Sequence, residues 1–566
     1  MQTEQTHDLA PRPARPERPA AALLAEHELL RLSDGMMRVP FLIRGRLVVP
    51  PKVDRAEIDR CFARLDRALG PSDPDSSYAV IGEAQVIREP LIDRHSLSPT
   101  GAVVYTILPA FQAEAVIERD LDALVELYDL PFSEVLAWTA AVQRALDPEL
   151  LFEVQRATLP FAQQPDAWHA AAFAAIPLLL DPVTLRRTVD DELGAFGIPG
   201  TQLLDAACPL PVEAVELAPV NRFADLVFEG TGHRFQQRRP ELRALPTRQL
   251  HITAGNAPHI PFISALRAIA SKSAAVIKSP SGAVLPGALL AVAAAAVAPD
   301  HPITRHLSVA YWRGGDAAVE APFFAPSSAA GAIQAFDRVV VWGAPGAVES
   351  VRSRALGTRV ISFDPRYGAS LVGREAYASP EILAEVARRA VCDALVANQK
   401  ACIATQVLYA EGTDAEIEAL AGALQAALQS FDRQAPNLVT PAQRGDVKRL
   451  MKGVFLDADW YLSEHQGAFS SAVVVARQEF KLSALPMCRF LVVRPVPALE
   501  EALQYFHPGV ATVSVYPEAR RRALLTRVGA RGVSNIVPLG HSGTGFAGQA
   551  HDGMRVLSQL VDWKVA

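Results

Sequence analysis

The chain has 566 residues, 50% of them hydrophobic and 20% charged, and its 55 basic and 61 acidic side chains leave a net charge of −6. This is a globular balance with length for about three or four domains, and the lack of any basic block or aromatic-interleaved basic stripe excludes the usual nucleic-acid footprint. Five scattered cysteines (Cys61, Cys208, Cys392, Cys402 and Cys488) make a poor disulfide framework and fit a reducing cytoplasm, so the expected location is cytoplasmic.

Taken in chain order, Met1 to about Pro19 is rich in Pro, Arg, Glu and Thr and is expected to be disordered within an extension over 1–34. The next apolar run, Ala20 to Ala25, is too short for a secretory h-region. Residues 36–50 read as paired strands with a turn near Arg44-Gly45. From about 115 to 195 the pattern is helical, and Glu118 to Leu127 shows the 3-4 apolar spacing of an amphipathic helix.

From about 248 short apolar runs recur at Gln249–Ala254, Ala274–Ile277, Leu307–Trp312, Arg338–Trp342 and Arg359–Phe363. Strands spaced by crossovers predict βαβ units and a parallel sheet, whose ligands lie at the strands' carboxyl ends. Ala283 to Ala298 is mostly Ala and holds Pro286 and Gly287; it reads as a buried helix, since a membrane span needs about 20 strongly apolar residues. A second α/β region follows, with candidate strands at Gln406–Ala410, Ala472–Ala476, Phe490–Arg494 and Thr512–Tyr516. No C-x-x-C or H-E-x-x-H occurs, so no metal is expected, and no G-x-S-x-G serine elbow is present.

Four segments carry candidate chemistry. Thr253-Ala254-Gly255-Asn256-Ala257-Pro258 puts a neutral amide donor after a strand. Such a group can stabilise a developing oxyanion without itself ionising. Ile277-Lys278-Ser279-Pro280-Ser281 puts a lysine at a strand end. Val341-Trp342-Gly343-Ala344-Pro345 is a turn where glycine permits close backbone approach and a helix start favours phosphate. Asn398-Gln399-Lys400-Ala401-Cys402 places a thiol just before an apolar strand, as a covalent nucleophile would be presented. Taken alone, each segment also reads as ordinary structure: an Asn-Ala-Pro turn, a lysine before an N-cap serine, a strand–turn–helix connection and a small buried thiol. Cys392 is the rival nucleophile, in surroundings that read as helical and core-like.

In this order the segments resemble the aldehyde dehydrogenase superfamily, and more closely the long-chain acyl-CoA reductases that supply fatty aldehyde to bacterial luciferase. The resemblance covers roughly 35–566 and is firmest over 250–412 and at the C-terminal end. It implies an α/β, aldehyde-dehydrogenase-like fold with a Rossmann-type parallel-sheet cofactor domain (35–370), a second α/β catalytic domain (371–530) and a C-terminal segment (531–566) that packs back or serves in oligomerisation. It implies Cys402 as nucleophile, Asn256 as oxyanion donor, and Lys278, Ser281, Gly343 and Ala344 around the dinucleotide. Relatives that prefer NAD often carry a ribose-binding Glu where this chain has Ser281, which points to NADPH. Aldehyde-oxidising members carry a general-base Glu; the comparable segment here, Ile361 to Gly368, offers only Asp364, which also reads as a turn residue. The expected activity is NADPH-dependent reduction of a long-chain acyl-CoA or other acyl thioester to the aldehyde, with an acyl-protein synthetase or acyltransferase as partner and a homo-oligomeric assembly. An aldehyde oxidiser of the same fold and a non-redox acyl carrier using Cys402 stay open. His551, beside an Asp-Gly turn, reads as structural although imidazole titrates near neutrality.

Overall fold

The computed structural model describes residues 20–71, 73–93, 99–159, 166–211, 240–255, 257–324, 334–465, 467–480 and 485–565. Of the extension 1–34, expected to be disordered, residues 1–19 lie outside these ranges, as does Asn256, whereas Ala20–His27 is a helix.

Two seven-stranded sheets form the body. The first contains β1 (Phe41–Ile43), β2 (Arg46–Val48), β3 (Arg248–Ile252), β4 (Ala274–Lys278), β5 (Leu307–Ala310), β6 (Arg338–Trp342) and β7 (Arg359–Phe363). Their order is β7-β6-β3-β4-β5-β1-β2. Strands β3 to β7 are parallel, and β1 and β2 form an antiparallel hairpin at one edge. Arg44 and Gly45 both have positive φ (45° and 76°), the conformation that a two-residue hairpin turn requires. The chain runs β3, β4, β5 in one direction and then returns to place β6 on the other side of β3. That reversal opens a crevice at the carboxyl ends of β3 and β6.

Parallel strands are covered on both faces, which explains the unbroken apolar runs: all of β4 and β5 is buried, and so is Val339–Val341 of β6. Helix α1 (Ile260–Ala270) crosses over from β3 to β4, and α2 (Val284–Val297) follows β4. Twelve of the 14 residues of α2 are buried, so this apolar segment is a core helix. No single helix among the described residues is long and apolar enough to cross a membrane.

The second sheet contains β8 (Tyr367–Val372), β9 (Thr405–Ala410), β10 (Asp459–His465), β11 (Ala468–Val475), β12 (Phe490–Pro495), β13 (Val510–Tyr516) and β14 (Asn535–Pro538). Their order is β10-β11-β12-β9-β8-β13-β14, and only the β10–β11 pair is antiparallel. Only residues 364–366 separate the end of β7 from the start of β8. The carboxyl end of the first sheet therefore meets the amino end of the second.

Two smaller sheets are also present among the described residues. Strand Asp562–Val565 pairs antiparallel with Glu241–Leu245, which returns the C-terminus to the first half of the chain. A four-stranded sheet of Met36–Arg38, Pro99–Pro109, Ala84–Ile92 and Tyr78–Ile81 sits against the carboxyl end of β5. There Gln85 Nε2 donates to the Tyr311 carbonyl (3.1 Å), and Phe111 stacks on Trp312 at 4.6 Å.

The helical region holds Phe132–Ala145, Pro148–Thr158, Asp166–Ala174 and Pro182–Leu193. Asp147 and Asp181 cap two of these, each followed by proline at the first helical position. The helix expected over Glu118–Leu127 is mostly absent: a 3₁₀ turn covers Asp122–Leu124 and a single α-turn Val125–Tyr128. Glu118 accepts from the Asp120 N–H (3.0 Å) and Asp120 from the Asp122 N–H (3.0 Å). These side-chain bonds compete with helical ones and delay the start.

Candidate active site

A cavity of about 970 Å³ occupies the joint between the two large sheets. Ala254, Gly255 and Ala257 enter from the loop after β3, Ser281 and Gly282 from the turn after β4, and Gly343 and Ala344 from the turn after β6. Asp364 and Arg366 come from the link between the sheets, Lys400 and Cys402 from the loop before β9, and His551 and Asp552 from the C-terminal segment. The structure therefore brings together Cys402, Ser281, Gly343 and Ala344, four of the residues expected from sequence. Lys278 is not part of the lining. Its ammonium lies 5.6 Å from the Tyr311 ring and 5.5 Å from that of Trp312, and burial pushes it down to about 8.

Cys402 is half-buried. Burial pushes its thiol up to about 11, the Asp552 carboxylate adds to the shift, and Arg366 and a backbone N–H oppose it. Arg366 Nε lies 3.5 Å from Asp552. Cys402 therefore rests as a thiol, whereas the reactive form of a cysteine is the thiolate. Burial lowers the Lys400 pKa, and the charge of Cys488 opposes that shift. Alkylation of Cys402 by iodoacetamide is expected to be slow near neutrality and to rise about tenfold per pH unit until the thiol ionises. Asp552→Asn removes a charge that raises the thiol, so more thiolate forms at a fixed pH near 8 and alkylation should be several-fold faster. An unchanged or slower rate would contradict this assignment.

His551 lines the cavity as a neutral ring. Its Nδ1 accepts from Arg267 (2.8 Å), and burial together with that guanidinium pushes it down to about 3. It also packs edge-on against Trp342 (5.4 Å) and Phe363 (4.7 Å). A group that stays neutral throughout the physiological range holds the wall and is no acid near pH 7. Asp364 accepts from the Ser362 hydroxyl at 3.1 Å. Cys392 lies on helix α3 (Pro380–Ala394), but its thiol is exposed, which corrects the core-like reading: it falls on the outward face of an amphipathic helix whose buried stripe is Val386, Ala387, Ala390, Val391 and Ala394.

The loop that carries Cys402 is unusual. Ala397, Asn398 and Gln399 have φ of 49°, 52° and 67°, three consecutive non-glycine residues in the left-handed region. Each such residue costs on the order of 1–3 kcal/mol and persists only where its surroundings hold it. Here the surroundings are side-chain hydrogen bonds. Gln399 donates to the Phe490 carbonyl (2.7 Å) and accepts from the Phe490 N–H (2.8 Å). Asn398 donates to Asn437 (3.0 Å) and accepts from Arg489 Nε (2.7 Å), and Arg489 is paired with Asp432.

The remaining wall comes from segments to which the sequence reading gave no role. Met37, Glu89, Ile92 and Thr106 belong to the four-stranded sheet, and Thr158, His169 and Phe173 to two helices. Burial pushes the Glu89 carboxyl up to about 7. The hairpin Ala84–Ile92/Pro99–Pro109 has a strand pattern, but nothing local tells that it faces Cys402.

A nicotinamide dinucleotide fits what is present. The crevice lies at the reversal point of a parallel sheet, the usual place for such ligands. The Lys278 ammonium has no hydrogen bond or ion pair among the described residues, and the buried Trp342 Nε1 has no partner there either, so two donors stand without acceptors near the lining.

The fold has counterparts among solved structures. The solved aldehyde dehydrogenase 21 of Physcomitrella patens, in complex with the product succinate, superposes with a TM-score of 0.62 at 11% identity over 86% of this chain and 95% of its own. The NADP-dependent glyceraldehyde-3-phosphate dehydrogenase of Bacillus halodurans C-125, complexed with NADP, superposes with a TM-score of 0.59 at 15% identity over 85% and 95%. The fold is that of the aldehyde dehydrogenases. The long-chain acyl-protein thioester reductase of Photorhabdus luminescens is 29% identical over 339 residues, which are 57% of this chain and 64% of that protein, so the match spans just under two thirds of the relative. The family described as acyl-CoA reductase (LuxC) matches residues 227–563. That is more than half of the chain, and the protein belongs to the acyl-CoA reductase (LuxC) family.

Proposed function

We propose that the protein is an oxidoreductase that reduces a long-chain acyl thioester, acyl-CoA or acyl-protein, to the fatty aldehyde with NADPH, through an acyl-enzyme on Cys402. The observation that carries this reading is the meeting of Cys402 with Ser281, Gly343 and Ala344 in one cavity at the reversal point of a parallel sheet. On this reading residues 35–370 hold the dinucleotide and 371–530 present the thiol. An acyl-protein synthetase partner, a homo-oligomeric assembly and a cytoplasmic location go with it.

The Cys402 thiol loses its proton and its sulfur attacks the thioester carbonyl. A new C–S bond forms, the bond to the carrier sulfur breaks, and the carrier leaves as a thiol. Ser281, Gly343 and Ala344 would hold a reduced nicotinamide dinucleotide, which would supply the hydride for the Cys402-linked acyl carbon. The oxyanion is held by backbone N–H groups near Cys402 and by the Asn256 amide. Collapse breaks the Cys402 C–S bond, releases the aldehyde and leaves the Cys402 thiolate, which takes up one proton from solvent. By the resemblance, Asp364 is the stand-in for the base of the oxidising relatives; its side chain is shorter than Glu and accepts from the Ser362 hydroxyl. Water is then poorly activated, and the acyl-enzyme persists until hydride reaches it.

The test follows NADPH absorbance and aldehyde with myristoyl-CoA and an acyl-protein donor. NADPH consumption with stoichiometric aldehyde supports the reading; Cys402 acylation without any NADPH consumption favours the non-redox carrier, and acid formation from aldehyde with NADP⁺ favours the oxidiser. The NADPH preference has its own check. Ser281→Glu puts a carboxylate toward a 2′-phosphate, a repulsion of about 1–4 kcal/mol at such range. It should raise KM for NADPH tenfold or more and leave that for NADH nearly unchanged. Equal KM values for NADPH in the two proteins would contradict the Ser281 assignment.

A further inference from the structure

Beneath the thiol loop lies a buried polar cluster that takes no part in the chemistry proposed above. Arg489 has a fully buried side chain. Its Nε donates to Asn398 Oδ1 (2.7 Å), one terminal nitrogen is bonded to Asp432, and its guanidinium covers the Phe431 ring at 4.9 Å. Asp432, near the end of helix α4 (Asp414–Gln434), also accepts from the hydroxyls of Ser470 (2.7 Å) and Ser471 (3.0 Å) on β11. Asn437 accepts from Asn398 Nδ2 (3.0 Å) and donates to the carbonyls of Ser470 (2.6 Å) and Cys488 (3.1 Å). Asn398 is thus gripped at both ends of its amide, one end by a cation and the other by an amide fixed to two carbonyls. It is the middle residue of the left-handed run, four positions before Cys402. Arg489 itself has a positive φ (59°), so the anchor and the loop that it holds both sit in backbone that requires outside support.

A buried charge pair is weak evidence for stability, because well-packed apolar residues often serve as well. A fixed geometry is what it supplies. Asn398 cannot relax toward ordinary backbone without breaking both the Arg489 and the Asn437 bonds, and any such relaxation moves Cys402. We propose that Arg489, with Asp432 and Asn437, is the positioning device of the nucleophile: it locks Asn398 in the left-handed conformation and so holds the Cys402 thiol at the cavity wall. The catalytic consequence rests on the reading of Cys402 as nucleophile; the placement of the thiol does not.

The test compares wild type with Arg489→Lys, which keeps the charge but loses the planar fork that reaches Asn398 and Asp432 together. Two rates are read per folded molecule: acylation of Cys402 by myristoyl-CoA in a single turnover, followed by intact mass, and alkylation of Cys402 by iodoacetamide, followed by peptide mass. Displacing a reacting atom by about 1 Å costs on the order of 10²-fold, so acylation should fall 10- to 100-fold, with a threefold or larger change in alkylation and unchanged NADPH affinity. A merely structural arginine would lower the melting temperature and leave both rates per folded molecule intact, and that result overturns the proposal. If Arg489→Lys does not fold, Asn437→Ala is read in the same way, since it leaves the Arg489–Asp432 pair in place; unchanged rates there also overturn it. If wild type itself is not acylated on Cys402, the functional reading fails, and the alkylation rates alone decide whether the cluster places the thiol.

Discussion

Cys402→Ala is expected to abolish thioester reduction, with a loss of order 10⁴-fold or more, as for removal of other covalent nucleophiles. Cys402 lines the cavity three residues past the end of the anchored left-handed run. Alanine keeps the loop's shape and deletes only the sulfur, so the protein should fold, bind NADPH and show no covalent acyl adduct. Cys392→Ala is the control: that thiol is exposed on α3 and should be dispensable. A Cys402→Ala protein within tenfold of wild-type kcat/KM would remove the thiol from the mechanism.

Gly368→Ala is expected to damage activity as well, although less than loss of the thiol and although Gly368 does not line the cavity. A Cβ built there would meet the Ile403 carbonyl oxygen at 2.3 Å and the Ile403 and Ala404 carbonyl carbons at 2.8 Å. All three are backbone atoms, one or two residues past Cys402. Gly368 N–H also donates to the Ala404 carbonyl at 2.8 Å, and the β8–β9 register shifts between Gly368 and Ala369. The strand therefore runs as close to the nucleophile loop as a hydrogen allows. Overpacking of this kind costs about 1–3 kcal/mol in stability. Because the loop must move with its thiol, kcat/KM should fall by about 10²-fold. Melting and steady-state kinetics check both. A variant with wild-type melting and kcat/KM would show that the close approach has no bearing on the thiol.

Much of the fold is legible in the chain because parallel strands are covered on both faces. Val339-Val340-Val341 and Val473-Val474-Val475 announce buried strands with no knowledge of their partners. The segment Asn398-Gln399-Lys400-Ala401-Cys402 stands out in the chain because it sets a thiol between a helix and a strand, and the fold puts that cysteine on the cavity wall. What stayed hidden is long-range. Arg366 and Asp552, which set the charge around the thiol, are 186 residues apart in sequence and meet only in the folded protein. Arg489 reads as an ordinary residue at a strand start, and only the fold buries it beneath Asn398. The wall from Glu89 and Ile92 depends on how a hairpin packs against β5, which no local pattern encodes. The helix expected at Glu118–Leu127 failed for a local reason: the apolar spacing was right, but two acidic side chains capped backbone N–H groups in turns instead.

The most direct measurement is a chase. The enzyme is mixed with a labelled long-chain acyl thioester in the absence of dinucleotide, freed of excess donor, and then given NADPH. Intact and peptide mass should show one acyl group on Cys402 before the chase. NADPH should remove that group and release one labelled aldehyde per adduct with one NADPH consumed. An adduct that forms on Cys402 and then persists, or leaves as free acid at the same rate with and without NADPH, would contradict the account.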